Sequence, residues 1–191
     1  MIRLRQLKNQ KGFTLSELMI AVLISLLLVI IVTNAFSLNQ KAYNKSNTKA
    51  ELTQNGRIVL DLMARELRQT NEIVTSLPLD DSNPALVAHE LKFEDGHTDS
   101  HIQYIRYYLD GTDLKRQIIV YYFETDESAY VYWDDFDAFG GPEELILEDR
   151  LIGENFSSLN FYGNGNINID LVLDKKNEQI EIKSIINPRN I

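Results

Sequence analysis

Between Phe13 and Phe36 the chain carries one charged residue, Glu17, and neither proline nor glycine. No other stretch constrains the fold as much. As a helix, 24 residues would run about 36 Å, enough to cross a hydrocarbon core of about 30 Å. The strictly uncharged, strongly apolar part, residues 18–32, is shorter. That length is small for a membrane span and large for the core of a signal peptide. A charged side chain at membrane depth costs roughly 2.5–3.5 kcal/mol on insertion scales, so a lone carboxylate there points to a function.

The flanks add direction. Residues 1–12 contain Arg3, Arg5, Lys8 and Lys11 and no acid. Positive flanks tend to remain cytoplasmic. The bias is moderate, because Lys41, Lys45 and Lys49 follow on the far side. Three readings compete at this point. The segment is a plain anchor, or a secretory signal cut after Ala35, or a segment preceded by a leader cut off at Gly12/Phe13. Glu17 is awkward at the front of an ordinary apolar core. In the third reading Phe13 acquires a free amine, and in a helix it lies four residues from Glu17 on one face. A carboxylate and an ammonium in low dielectric form a strong pair, within one chain or with a neighbouring subunit's amine.

Lys11-Gly12-Phe13-Thr14-Leu15-Ser16-Glu17-Leu18, behind a short basic leader and ahead of an apolar run, resembles the signal of type IV prepilins and type II secretion pseudopilins. The resemblance implies a prepilin peptidase cutting between Gly12 and Phe13 and methylating the amine of Phe13. It implies that Glu17 pairs with a subunit already in the filament. The implied partners are that peptidase, other pilin or pseudopilin subunits met through the N-terminal helix, an inner-membrane assembly platform and membrane lipid. The implied location is the cytoplasmic membrane, crossed once with the C-terminal domain outside the cytoplasm, and later a pilus or pseudopilus.

Of the 191 residues, loss of the leader leaves 179. Beyond the apolar run about 150 residues remain, the size of one domain plus a helix. Without the leader, 15 basic residues face 28 acidic ones, a net charge of −13. Direct binding of nucleic acid needs clustered lysine and arginine, so no such contact is expected. The balance also disfavours an anionic membrane surface for the globular part. With no cysteine in the chain there is no disulfide and no thiol chemistry, so packing alone must hold the domain.

After Phe36 the chain turns polar. Leu52, Gly56, Val59, Leu60, Met63 and Leu67 then recur at helical spacing and form one stripe. Arg57, Asp61, Arg65 and Arg68 occupy the other face, and Asp61 and Arg65 sit four apart as a supporting pair. Asn71 and Pro78 close the pattern. The spacing predicts one helix from Phe13 to about Asn71, roughly 90 Å long, with Asn34 and Gly56 as its weak points. Residues 54–69, starting Gln54-Asn55-Gly56-Arg57, also resemble the helix of PilW/J-type minor pilins.

From there the pattern is β. Strands are expected at 86–93, 101–109, 115–123, 130–133, 156–162, 167–173 and 179–186, with a short strand or turn at 145–147. Asp110-Gly111 and Gly163-Asn164-Gly165-Asn166 signal hairpins. Residues 102–109 carry apolar side chains on both alternating sets, so both faces of that strand need cover. The fold class is α+β: a long N-terminal helix, its first half membrane-spanning and its second half packed on an antiparallel β-sheet, as in pilins. The divisions are a leader at 1–12, an assembly helix at 13–36, an amphipathic helix at 37–71 and a β-rich domain at 72–191.

Chemistry-bearing clusters are few. His97, Asp99 and His101 would share a face of a strand, with His89 nearby, but a polar turn that happens to hold histidines explains them as well. Asp134, Asp135 and Asp137, followed by Glu143 and Glu144, offer oxygens to calcium, although counting twelve from Asp135 ends on Ile146 and not on an EF-hand glutamate. There is no nucleophile elbow, no Ser-His-Asp signature and no phosphate-binding glycine loop, so no enzyme activity and no cofactor are expected. The reading is a minor pilin or pseudopilin that joins or primes a filament. The alternative is an anchored extracytoplasmic binding or enzymatic domain that uses the N-terminus for export alone.

Overall fold

A computed structural model describes residues 12–83, 85–96 and 102–189. Among the described residues one helix, α1 (Leu15–Leu67), precedes eight strands. The chain divides between Ser46 and Asn47 into two compact units, and α1 contributes to both.

In the second unit the predicted helical stripe is the buried one. Leu52, Gly56, Val59, Leu60, Met63 and Leu67 are all buried, with Thr48 one turn earlier. Each fully buried leucine, valine or methionine contributes about 1.5–3 kcal/mol of apolar burial. Gly56 is close packing rather than weakness. A Cβ there would lie 2.4 Å from Ile182 Cδ1 and 3.2 Å from Leu173 Cδ1, so the missing side chain lets α1 approach the sheet.

α1 ends at Leu67, four residues short of the expected Asn71. Thr70 explains the stop. Its buried hydroxyl donates to the carbonyl of Glu72 (2.9 Å) and accepts from the Glu72 N–H, an alternative to another helical turn.

The expected single sheet is two sheets. The first holds β1 (Leu91–Glu94), β2 (Tyr104–Asp110), β3 (Asp113–Phe123), β4 (Asp126–Val131) and β5 (Glu143–Gly153), all antiparallel. Tyr121 pairs with Val131 of β4 and with Glu144 of β5, so β4 and β5 lie on opposite edges of β3. Leu114 likewise pairs with Leu109 of β2 and Gly153 of β5, so β2 and β4 follow one another along the same edge. The second sheet is β6 (Phe156–Tyr162), β7 (Ile167–Lys175) and β8 (Glu178–Ile186), joined as a meander.

One core unites α1, Leu91, Phe93, Ile105, Tyr107 and Leu114 of the first sheet with Phe156, Phe161, Ile169, Leu171 and Leu173 of the second. The other face of β2 and β3 has its own cluster of Ile102, Tyr104, Ile119 and Tyr121, with Val74 and Val131 against it. Both faces are therefore covered, as the double alternation requires. Asp110-Gly111 does turn a hairpin. Asp110 pairs with Asp113, and Gly111 takes φ 65° at the first of the two loop positions, the place glycine holds in a type II′ turn.

β5 is the largest departure from expectation: an eleven-residue strand where three residues of strand or turn are predicted. Its sequence alternates poorly because neither face is deeply buried, and glutamate and aspartate are weak strand formers. Cross-strand partners hold it instead. Glu143 and Glu144 accept the hydroxyls of Tyr122 (3.1 Å) and Tyr121 (2.8 Å), and Asp149 accepts from Tyr108 (3.1 Å) and Gln117 (3.0 Å).

Candidate functional site

The N-terminal motif falls in the first unit. Gly12, Phe13 and Thr14 precede the helix, which begins at Leu15. Phe13 thus lies outside α1, and the predicted helical i, i+4 relation with Glu17 is not present. Phe13 is 88% exposed. A Cβ on Gly12 would meet nothing within 4 Å, so packing does not demand glycine at this position.

Thr14 caps the helix. Its hydroxyl accepts from the Glu17 N–H (3.3 Å), while Glu17 Oε2 accepts from the Thr14 N–H (2.9 Å) and from the Thr14 hydroxyl (2.9 Å). This reciprocal arrangement is a capping box, which satisfies two backbone donors that a helix start leaves open. The carboxylate also meets the positive end of the helix dipole. Thr14 is the residue that sequence reasoning overlooked. Thr-x-x-Glu ahead of an apolar run was the signal for it.

Behind Glu17 the helix is apolar on every side. From Leu18 to Val32 the large apolar side chains are 50–65% exposed, and no face is buried within the unit. The two hydroxyls in this part turn back onto the helix. Ser25 donates to the Ala21 carbonyl and Thr33 to that of Val29, each at 2.7 Å, so neither needs water. A helix hydrophobic all round requires lipid or other helices around it. By length and composition α1 is long and apolar enough to cross a membrane.

Residues 7–33 match the family model of the prokaryotic N-terminal methylation motif. The motif is that of type IV pilin-like proteins. It implies processing by a prepilin peptidase and association with other pilin subunits, and together with the apolar helix it fits a membrane-anchored protein. Comparison with curated proteins and with solved structures gives no match. The matched residues end before the amphipathic half of α1, so the PilW/J resemblance of residues 54–69 lies outside them.

The metal candidates do not assemble. Asp135 Oδ2 accepts from the Tyr132 N–H (2.8 Å), and Asp137 Oδ1 accepts from the N–H groups of Phe139 (2.7 Å) and Gly140 (2.9 Å). These carboxylates close turns, and Asp134 does not join them around a common point. Among the described residues no three His, Asp or Glu side chains come together as a metal-holding group. His97, Asp99 and His101 lie outside the described residues. His89 is placed by structure: its Nδ1 is 2.9 Å from Asn160 Oδ1 and 3.3 Å from the Leu159 carbonyl.

Within the second unit, a polar cluster joins α1 to the first sheet. Arg116 reaches Glu66 with Nε and a terminal nitrogen at 3.0–3.2 Å, Tyr107 donates its hydroxyl to the same carboxylate, and Glu148 lies 3.6 Å from Arg116. Burial raises the Tyr107 pKa, and the Glu66 charge and hydrogen bond raise it further. Burial disfavours the Arg116 cation, but Glu66 and Tyr107 outweigh this and hold its pKa above the usual guanidinium value. The members of the cluster are tied to one another, and the cluster reads as a bracket for the helix.

Proposed function

We propose that the chain is a pilin-like subunit, cut by a prepilin peptidase between Gly12 and Phe13, methylated on the new amine of Phe13, and assembled into a filament through Glu17. One observation carries the reading: the methylation-motif match falls on an exposed, unpacked Gly12-Phe13 peptide directly ahead of a capped, all-round apolar helix. Since packing does not ask for glycine at position 12, its smallness and access suit a peptidase. Residues 13–36 anchor the subunit in the cytoplasmic membrane, with the β-rich domain outside the cytoplasm. The same apolar surface exchanges lipid for neighbouring helices on assembly, and a paired Glu17 is tolerated there where an unpaired one is costly.

Within that class we favour a minor subunit of PilW/J type, on the resemblance of residues 54–69. The decisive test is the mass of the N-terminal peptide from membranes, with and without the peptidase. A peptide starting at N-methylated Phe13 only when the peptidase is present is the expected result. A peptide starting at Met1 or Phe36 overturns the reading. Glu17→Ala is then expected to enter the membrane normally and to be lost from filaments.

A further inference from the structure

A sheet edge presents a row of unpaired N–H and C=O groups, and native chains shorten it, cover it or charge it. Three edges here follow that rule. β1 is four residues long, and Ile73 bridges its outer side at Phe93. Ala88 bridges β6 at Phe161. β8 turns Gln179, Glu181 and Lys183 to solvent in alternation with covered side chains, with Ile185 the one exposed apolar residue in that row.

β5 does not follow it. It is eleven residues long, about twice the common strand. Among the described residues it pairs with β3 alone. It contains no proline and no lysine, and Leu145, Ile146, Leu147 and Leu151 are each 43–47% exposed. Its acids are engaged inward, as described above, by Tyr122, Tyr121, Tyr108, Gln117 and Arg116. Leu147 and Ile152 have no partner on β3 where the register shifts, which leaves two regular runs, 143–146 and 148–151. Beside this edge an open groove of about 460 Å³ runs between α1 and β5, lined by Ile58, Leu62, Leu151 and Ile152 together with Arg150 and the paired Glu66 and Arg116.

Charge selects the occupant. Residues 143–153 hold four acids and one arginine, and the whole chain is at −9. A second copy would bring acid to acid, which costs association, whereas a basic partner is drawn in. We propose that the outer edge of β5, with the groove beside it, accepts an extended, lysine- or arginine-bearing apolar segment of a different polypeptide as a sixth strand. Main-chain hydrogen bonds would supply affinity, the exposed leucines would set register, and the net negative charge of the strand would favour a basic partner over an acidic one. The proposal does not depend on how the N-terminus is processed.

The test uses the full chain in detergent micelles and a labelled synthetic peptide in which lysine alternates with valine and threonine. Anisotropy measures binding and amide hydrogen exchange locates it. The expected result is binding that slows amide exchange about tenfold within 143–151 and nowhere else. Binding should weaken about tenfold with a peptide N-methylated on alternate amides, which keeps charge and loses strand pairing. A Leu147→Lys, Leu151→Lys double variant, changed only at exposed positions, should bind at least as weakly. The proposal is overturned by no binding, by binding that N-methylation leaves unchanged, or by protection elsewhere. A free chain that is already dimeric, with the β5 edge protected, overturns it in favour of a second copy.

Discussion

The bracket of Glu66, Arg116 and Tyr107 allows a worked prediction. The Arg116 and Glu66 side chains are only 15% and 17% exposed, and their nitrogens and oxygens approach to 3.0 Å. Glu66→Leu strips the acceptor from both a guanidinium and a buried phenol. Breaking a buried pair costs about 3–5 kcal/mol. Here Glu148, 3.6 Å from Arg116, and the residual exposure reduce the loss to about 2–3 kcal/mol. Arg116→Met alone should cost about 2 kcal/mol. Replacing the pair together by Glu66→Leu and Arg116→Met leaves no stranded charge, and such exchanges are often near neutral, so the double variant should lose about 1 kcal/mol. The coupling energy is then about 3–4 kcal/mol. Trp133, the one tryptophan, reports urea unfolding of the full chain in mild detergent. Single losses that simply add in the double variant, with coupling below about 0.5 kcal/mol, would show a bracket worth no more than a surface ion pair and refute the reasoning.

Alkaline pH should weaken the domain. The Tyr104 pKa is pushed from 10.0 up to about 12, chiefly by burial, with Glu72, Glu94 and Asp134 adding and the Trp133 N–H bond opposing. A raised folded pKa means the neutral phenol is favoured, so its stability is fully present below pH 10 and lost as pH rises through 12. Tyr107 and Tyr121 shift the same way, and a urea midpoint that already declines well below pH 10 would contradict this. Gly96 sits at φ +82° with the position of a Cβ 2.1 Å from the Gln69 carbonyl oxygen, so Gly96→Ala should lower unfolding free energy by about 2–4 kcal/mol; an unchanged urea midpoint would refute the clash. The Lys176-Asn177 turn holds both residues at positive φ, 54° and 64°, so Lys176→Asn with Asn177→Gly should raise stability by about 1 kcal/mol, with an unchanged or lower midpoint counting against it. Thr14→Val removes the capping hydroxyl, and the amides of residues 15–17 should exchange faster in micelles, while unaltered exchange would argue that the box does not hold the helix start.

The readable parts of the sequence were those governed by a single period. The stripe from Leu52 to Leu67 repeats at helical spacing because one face of α1 meets a sheet, and every residue named from that spacing is buried. The hairpin at Gly111 was legible because few residues suit positive φ. β5 was not, since an edge strand exposed on both sides has no buried face to impose alternation. Its stability resides in contacts such as Tyr121 to Glu144, which bring together residues 23 apart, and no local pattern encodes them. The split into two sheets was hidden for a related reason. Each hairpin announces its own pairing, but whether successive hairpins join is decided across the core. At the N-terminus Glu17 stands out as a charge in an apolar run, while its local partner Thr14 does not, because an uncharged polar residue gives no contrast there and only the Thr-x-x-Glu spacing marks the cap.

The capping box also bears on how one carboxylate can serve two purposes. Both bonds from Thr14, from its N–H and from its hydroxyl, fall on Oε2 of Glu17. An ionised carboxylate offers about four acceptor positions, so Oε1 retains acceptor capacity while the box is closed. In the proposed subunit an incoming amine therefore has no need to compete with the cap. It meets a carboxylate already oriented by two hydrogen bonds and by the helix dipole, and orientation before encounter reduces the entropy lost on pairing. Removing the glutamate would act twice, by loosening the first turn of the helix and by removing the acceptor. Removing the threonine hydroxyl would loosen the turn alone. On this reasoning the Thr14 and Glu17 side chains act as one unit, in which the first sets the geometry and the second supplies the charge.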